Sequence, residues 1–488
     1  MKIGREQNRT PIFTTLKNHW EGRPVSGHVP GHKYGKVFPV EGQAYFEGIL
    51  KIDVTEITGL DDLHDPEEMI KEAQELAANL YGSEATYFLV NGSTVGNLAM
   101  ILATCKRGSR VLVQRNCHKS ILNGLELAGA EPVFLSCGYD AGVGVSISVS
   151  KNEVEIALQT IDNICAVILT NPSYYGISIE LEEIIKMIHE KDIPILMDEA
   201  HGAHFVLGDP FPVSALALGA DVVVHSAHKT LPAMTMGSFL HIQGNLVNKE
   251  SVAYYLRMLQ SSSPSYPIMA SLDLARYYLA CCLDNNGVPA IVRDAFCIRE
   301  ELKKLDGITV VVPENTRLVM DPLKVVIRST RGLSGFDLQK ILEKEGIFVE
   351  LADALNVLII LPLSVKRVKH DMIERIERAL RHSGKSSGEQ LLQVQVPPFP
   401  VTISQLAIPL RDQQKHEAVV CRIEDSVGSV SAESVIPYPP GIPVLLKGEL
   451  ITKPVVDYIL QLKKLGARFQ GNDLLKSNYI SIYKKEKE

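Results

Sequence analysis

The sequence predicts an α/β protein with a largely parallel sheet covered by helices on both faces, then a smaller α/β domain and a C-terminal α+β domain. Three observations carry the parallel sheet. Between residue 67 and about residue 242, short apolar runs rich in β-branched residues alternate with helical patterns. The runs are nearly continuous in apolar residues, which marks strands buried on both faces, as in a parallel sheet. Polar residues with useful chemistry fall just beyond the runs. Right-handed crossovers bring such strand ends to one edge, where ligands bind.

Taken in order, residues 1–66 form an N-terminal segment rich in Gly, Pro and His and short on regular pattern. His28-Val29-Pro30-Gly31-His32-Lys33 sets two histidines around Pro-Gly, but no third or fourth ligand lies nearby, so a turn is expected there and no metal. Ahead of the next helix, Asp65 is the expected N-cap, Pro66 the first helical residue, and Glu67 and Glu68 suit the positive helix end. Capping leaves Asp61 and Asp62 over, and both become candidates for gripping a cation. Ile70, Ala73, Leu76, Ala77 and Leu80 mark that helix. Tyr87-Phe88-Leu89-Val90 is a strand, broken by Asn91-Gly92-Ser93-Thr94 before a helix with Val95, Leu98, Ala99 and Leu102 on one face. Strand, glycine turn and helix start together make an anion site, because free amides and the helix dipole point outward there.

The next strand, 110–113, ends in Arg115-Asn116-Cys117-His118-Lys119-Ser120, where His118 either caps the following helix or stacks on a cofactor ring. Further strands are expected at 132–135, 165–170 and 195–198, and an antiparallel one at about 236–241. Helices are expected at about 181–191 and 268–283. The large domain spans 67–285, the smaller α/β domain 286–385, and the C-terminal domain 386–488. A linker is expected at 382–389. The prolines at 397–400 and 437–443 make parts of the last domain extended and irregular.

Two strand ends carry the chemistry. Ile195-Leu196-Met197-Asp198 ends on an acid, and Val222-Val223-Val224 runs into His225-Ser226-Ala227-His228-Lys229-Thr230. A lone lysine is ordinarily a surface residue. An acid and a lysine at successive strand ends, one helical crossover apart, are the two groups that pyridoxal phosphate (PLP) requires: one pairs with the ring nitrogen, the other carries the aldehyde as an imine.

Bulk properties narrow the field. The 488-residue chain is too long for one core. Its formal net charge of −7 argues against nucleic acid or an anionic membrane as a partner. The start lacks a signal-peptide pattern, and no apolar run approaches bilayer length. Eight scattered cysteines without C-x-x-C spacing read as reduced thiols of a cytoplasmic protein.

These residues together resemble the bacterial ornithine/lysine/arginine decarboxylase family, PLP enzymes of the aspartate-aminotransferase fold (fold type I). The likeness is carried by the His28–Lys33 stretch, Gly59-Leu60-Asp61-Asp62-Leu63-His64, Asn116-Cys117-His118-Lys119-Ser120, Asp198-Glu199-Ala200-His201-Gly202-Ala203-His204, Ser226-Ala227-His228-Lys229 and Tyr438-Pro439-Pro440-Gly441. The resemblance implies that Lys229 holds the cofactor, Asp198 pairs with its ring nitrogen, His118 stacks on the ring and Ala200 packs beneath it. Ser93, Thr94, Ser226 and His228 would hold the phosphate, with His201 among the cofactor's neighbours. Ser262, in the Ser261-Ser262-Ser263 turn, would reach the phosphate of a neighbouring subunit, making a homo-oligomer of at least two chains. The chain looks like the shorter branch, without the extra N-terminal domain of the large inducible forms.

The implied reaction removes carbon dioxide from a basic L-amino acid, arginine or lysine ahead of ornithine. Asp61, Asp62, Glu350, Asp353 and Glu433 are the acids singled out for its distal cation. Alternatives are an aminotransferase or aldolase of the same fold, a metal hydrolase suggested by His201 and His204, and a PLP-binding protein without turnover.

Overall fold

The computed structural model describes residues 5–285, 287–366, 371–382, 403–437, 442–471 and 473–484. Outside the described residues lie the linker beyond residue 382, the prolines at 397–400, the Tyr438-Pro439-Pro440-Gly441 motif and the end of the charged tail. The chain divides into two compact units, Met1–Thr104 with Pro194–Pro289, and Cys105–Ile193 with Ala290–Glu488. It is an α/β protein whose long strands are mainly parallel, as the apolar runs predict.

In the first unit, Ile195–Asp198 and Val222–His225 run parallel, with Asp198 opposite Val224. Every residue of both strands is buried, which explains why neither shows an alternating pattern. Ser238–Ile242 lies antiparallel to Val222–His225, as expected, and Ala85–Leu89 lies antiparallel to Ser238–Ile242 in turn. Two reversals leave Ala85–Leu89 parallel to Val222–His225. The carboxyl ends of Ala85–Leu89, Ile195–Asp198 and Val222–His225 therefore share one edge.

The helix Met69–Tyr81 starts three residues later than expected, and Asp65 is not its cap. Asp61 does that work. It adopts a φ of +61°, and its carboxylate accepts from the amides of Asp62, Glu67, Glu68 and Ile70 at 2.8–3.0 Å. The amides that a helix start leaves unpaired are thus satisfied from a preceding loop. Both oxygens of the Asp61 carboxylate are thus engaged by backbone amides. We expect Asp61→Ala to lower stability by roughly 2 kcal/mol, since it removes a cap and puts alanine at a positive φ. Asp61→Asn should cost less, and urea unfolding of the two variants side by side checks the order.

The N-terminal segment is more regular than its sequence suggests, with helices at Pro11–Glu21 and Val40–Leu50. The first starts with proline at an early helical position and buries Ile12 and Leu16. The second contains Gly42 and Gly48 and buries only Leu50, so it carries little of the amphipathic signal that would reveal it.

In the second unit, Arg110–Gln114 runs parallel to Glu131–Leu135 on one side and to Ile164–Thr170 on the other. Ile403–Gln405 pairs antiparallel with Glu131–Leu135. A separate antiparallel sheet joins Ile308–Val311, Lys324–Ser329, Asn356–Ile360 and Leu351–Ala352 in that order. Its last strand, Leu351–Ala352, is only two residues long. Toward the end of the chain, the antiparallel pair of Ala418–Arg422 and Tyr479–Tyr483 and the helix Lys453–Lys464 enclose a small core that includes Val435, Leu445, Ile459 and Ile480.

Candidate functional site

In the first unit the shared strand edge collects the predicted residues. The helix Gly92–Thr104 opens just past the Ala85–Leu89 strand, presenting Ser93 and Thr94 in its first turn. Gly92 takes a φ of +78°, which lets the chain turn sharply from strand into helix. Ser226, just past the end of the Val222–His225 strand, donates from its hydroxyl to the Ser93 hydroxyl at 2.6 Å. Two hydroxyls at a helix start whose amides face outward form a ready anion site. His228 accompanies them, with Nδ1 3.2 Å from the Gly237 carbonyl, so Nδ1 is the donor.

Lys229 sits in the short helix Ala227–Thr230, and its amine lies 3.1 Å from Nε2 of His201. An ammonium there donates to the imidazole, fixing His201 with its proton on Nδ1. Asp198 is 3% exposed, and accepts from the Ala200 amide at 3.2 Å and from Asn97 Nδ2 at 3.0 Å. Ser262 is exposed, and the adjoining Ser261 amide donates to Asn91 Oδ1 at 3.3 Å within this chain.

Directly behind this edge lies a buried polar chain to which sequence reading assigned no role. Glu199 accepts from the Ser214 hydroxyl, from the Ala215 amide at 2.8 Å and from His225 Nε2 at 2.7 Å. His225 Nδ1 meets His241 Nε2 at 3.1 Å, and His241 Nδ1 meets the Thr86 hydroxyl at 2.8 Å. Glu199, His225 and His241 are fully buried. Gly202 makes the packing possible, since a Cβ there would stand 2.5 Å from Glu199 Cγ. Every member finds a partner, so the network is a low-dielectric scaffold that fixes the two strand ends.

Burial, reinforced by the neighbouring His225, holds His241 well below its ordinary 6.5. An unfolded chain would protonate this imidazole below pH 6.5, whereas the folded chain resists doing so. The stability it supports is complete above that pH and erodes as the pH falls. We expect the thermal midpoint to drop on acidification below pH 6.5, with a shallower drop in His241→Gln. Paired melts across that range check this.

In the second unit, His118 and Asn171 follow the carboxyl ends of two adjacent parallel strands. His118 is the N-cap of the helix Lys119–Ala128, its Nδ1 accepting from the Ser120 amide at 3.3 Å and lying 2.8 Å from the Ser120 hydroxyl. The same turn is held by Arg115, which donates to both carboxylate oxygens of Glu449 and to the Pro443 carbonyl. A bidentate pair of this kind fixes direction as well as distance.

The acids proposed for a distal cation separate. Asp353 joins Asp61 in having both oxygens engaged: it accepts from the amides of Leu355 and Asn356, the Asn356 side chain and the Tyr175 hydroxyl. Tyr175 is pushed well above the usual phenol range by burial and by that carboxylate. Asp62 is half-buried and accepts from the His64 amide. Glu350 is exposed, and Glu433 accepts from the Ser481 amide at 2.8 Å.

All eight cysteines are free thiols, and among the described residues no cluster of three or more acidic, His or Cys side chains could hold a metal. No described helix is long and apolar enough to cross a membrane.

Comparison with known proteins identifies the class. The model for the major domain of Orn/Lys/Arg decarboxylases matches residues 10–320, and that for the C-terminal domain matches residues 399–474. The chain belongs to the Orn/Lys/Arg decarboxylase family and is an enzyme of the decarboxylase type. Among its relatives is uncharacterized protein YaaO of Bacillus subtilis (strain 168), 45% identical over 98% of this chain and 99% of that one. An arginine decarboxylase of the same organism is 34% identical over 99% of each chain. Of solved structures, the Francisella novicida lysine decarboxylase LdcF superposes with a TM-score of 0.82, at 22% identity, over 97% of this chain and 81% of that one.

Proposed function

We propose that this enzyme decarboxylates a basic L-amino acid, arginine in the first place, with PLP as its cofactor. The observation that carries the reading is the placement of Asp198 and Lys229 at the carboxyl ends of adjacent parallel strands, with Ser93 and Ser226 hydrogen-bonded beside them. An amine, a buried carboxylate and hydroxyls at a helix start match the aldehyde, ring nitrogen and phosphate of PLP. When bound, PLP supplies an electron sink for the pair left behind by a departing carboxylate. Ser93, Thr94, Ser226 and His228 would hold the phosphate, Asp198 the ring nitrogen, and Lys229 the aldehyde carbon. The family resemblance adds that His118 would stack on the ring and Ala200 would pack beneath it.

Lys229 and His201, in hydrogen-bond contact, are the pair that returns a proton to Cα once the carboxylate has left. Asp62, Glu350 and Glu433 are our remaining acids for the distal cation. A guanidinium needs a bidentate carboxylate, whereas an ammonium accepts a point contact. Arginine is preferred because several relatives named arginine decarboxylase share 32–35% identity with this chain, against 22–26% for those named lysine decarboxylase. We further propose at least a dimer, with Ser262 serving the neighbouring subunit's phosphate site.

The test offers L-arginine, L-lysine and L-ornithine in parallel to purified protein with PLP, following amine and carbon dioxide together. Equal amounts of both products from arginine, well above the other two, are expected. Keto-acid formation without carbon dioxide would favour the aminotransferase.

A further inference from the structure

We infer that Asn97 is a positioning residue for the Asp198 carboxylate; this deepens the proposed PLP function and rests on it. Asn97 lies on the helix Gly92–Thr104, whose first turn supplies Ser93 and Thr94. It is 1% exposed, and its Nδ2 donates to Asp198 Oδ2 at 3.0 Å. A carboxylate only accepts, so the contact also fixes which end of the Asn97 amide faces it. The second oxygen, Oδ1, accepts from the Ala200 amide at 3.2 Å. One donor on each oxygen, one from a helix and one from the turn that follows the strand, restricts the rotation by which a buried carboxylate would drift from a ligand atom. An aspartate that must meet one ring nitrogen needs that restraint, since it has only two side-chain torsions and is otherwise set by packing alone.

Gly96 explains how the helix reaches the acid. A Cβ at this position would stand 2.8 Å from Leu89 Cδ1 and 3.0 Å from Val224 Cγ1, so the helix lies directly on the two strands. A larger residue would lift Asn97 away from Asp198. The Gly96-Asn97 pair thus links the phosphate end of the site to its ring-nitrogen end through one helix. A polar residue on the buried side of an apolar helix is costly unless it meets a partner, and Asp198 is the partner found.

The test compares Asn97→Ala and Asn97→Asp with the wild type as holoenzymes, measuring kcat, KM, PLP dissociation and the pH dependence of the bound-PLP absorbance. Asn97→Ala should lower kcat by about 10- to 100-fold, weaken PLP and shift the absorbance profile, with KM changed much less. Asn97→Asp is nearly isosteric and can donate to Asp198 only while protonated. Its kcat should therefore hold on the acid side and fall as pH rises, a limb the wild type lacks. A purely structural role would lower the thermal midpoint without creating that limb.

The inference is overturned if both variants match the wild type in PLP dissociation and absorbance profile. It is equally overturned if any loss of turnover disappears once rates are expressed per bound cofactor. Asp198→Asn and Lys229→Ala run alongside to separate the two levels. If these two retain normal turnover, the PLP reading itself fails; if they lose it while the Asn97 variants do not, only the role of Asn97 fails.

Discussion

Lys229→Ala should leave decarboxylation at background, a loss of roughly 10³-fold or more, because in the proposed mechanism one group supplies both the covalent attachment and a proton-transfer partner. Lys229 lies past the end of a fully buried strand, in a short helix whose backbone is anchored: its amide donates to the Ser226 carbonyl at 3.1 Å. Removing the side chain beyond Cβ leaves that backbone bond in place, so the fold should survive and the thermal midpoint should change little. PLP retention separates two outcomes. The proposed phosphate donors Ser93, Ser226 and His228 remain, so PLP should still bind, more weakly, but with no imine that borohydride could reduce to a permanent link. Added small amines should restore part of the rate if the missing group is a base. Steady-state assays with saturating PLP check the loss.

Asp198→Asn should be the second most damaging substitution, lowering kcat by about 10²-fold or more. Each pKa unit by which a ring nitrogen prefers its protonated form beside an anion corresponds to about 1.4 kcal/mol, and a neutral amide gives most of that up. The substitution also disturbs the two-donor clamp. Asp198 accepts through both oxygens, from Asn97 and from the Ala200 amide, but an asparagine has one oxygen for two donors. One donor then faces an NH₂ group, at a cost on the order of 1–3 kcal/mol, so a lower thermal midpoint should accompany the loss of rate. The fold should remain intact, because Met197 and the strand around it keep their buried contacts. Normal turnover in Asp198→Asn would remove the ring-nitrogen assignment.

The parallel strands could be read from sequence because burial on both faces writes itself as continuous apolar runs. The strand ends could be read because reactive residues follow those runs directly, as Ser93, Asp198 and Lys229 do. The antiparallel strand after the lysine was also legible. What stayed hidden depends on contacts distant in sequence. Asp61 caps a helix from several residues upstream through a left-handed backbone, so local capping rules pointed to Asp65 instead. The His225–His241 contact exists only because Phe239 pairs with His225 and places His241 within reach, a register the sequence does not spell out. Asn97 interrupts an apolar helix face, which marks it as buried and polar, but its partner lies about a hundred residues away. The glycines of Val40–Leu50 and its exposed surface hid that helix altogether.

The central claim is that Lys229 is the lysine that carries PLP. Borohydride reduction of the purified holoenzyme, followed by proteolysis and mass spectrometry of the modified peptide, tests it most directly. We expect one pyridoxyl group per chain, on Lys229, with loss of the visible absorbance and of decarboxylation in parallel. A pyridoxyl group on another lysine, or a fully active enzyme with none, would contradict it.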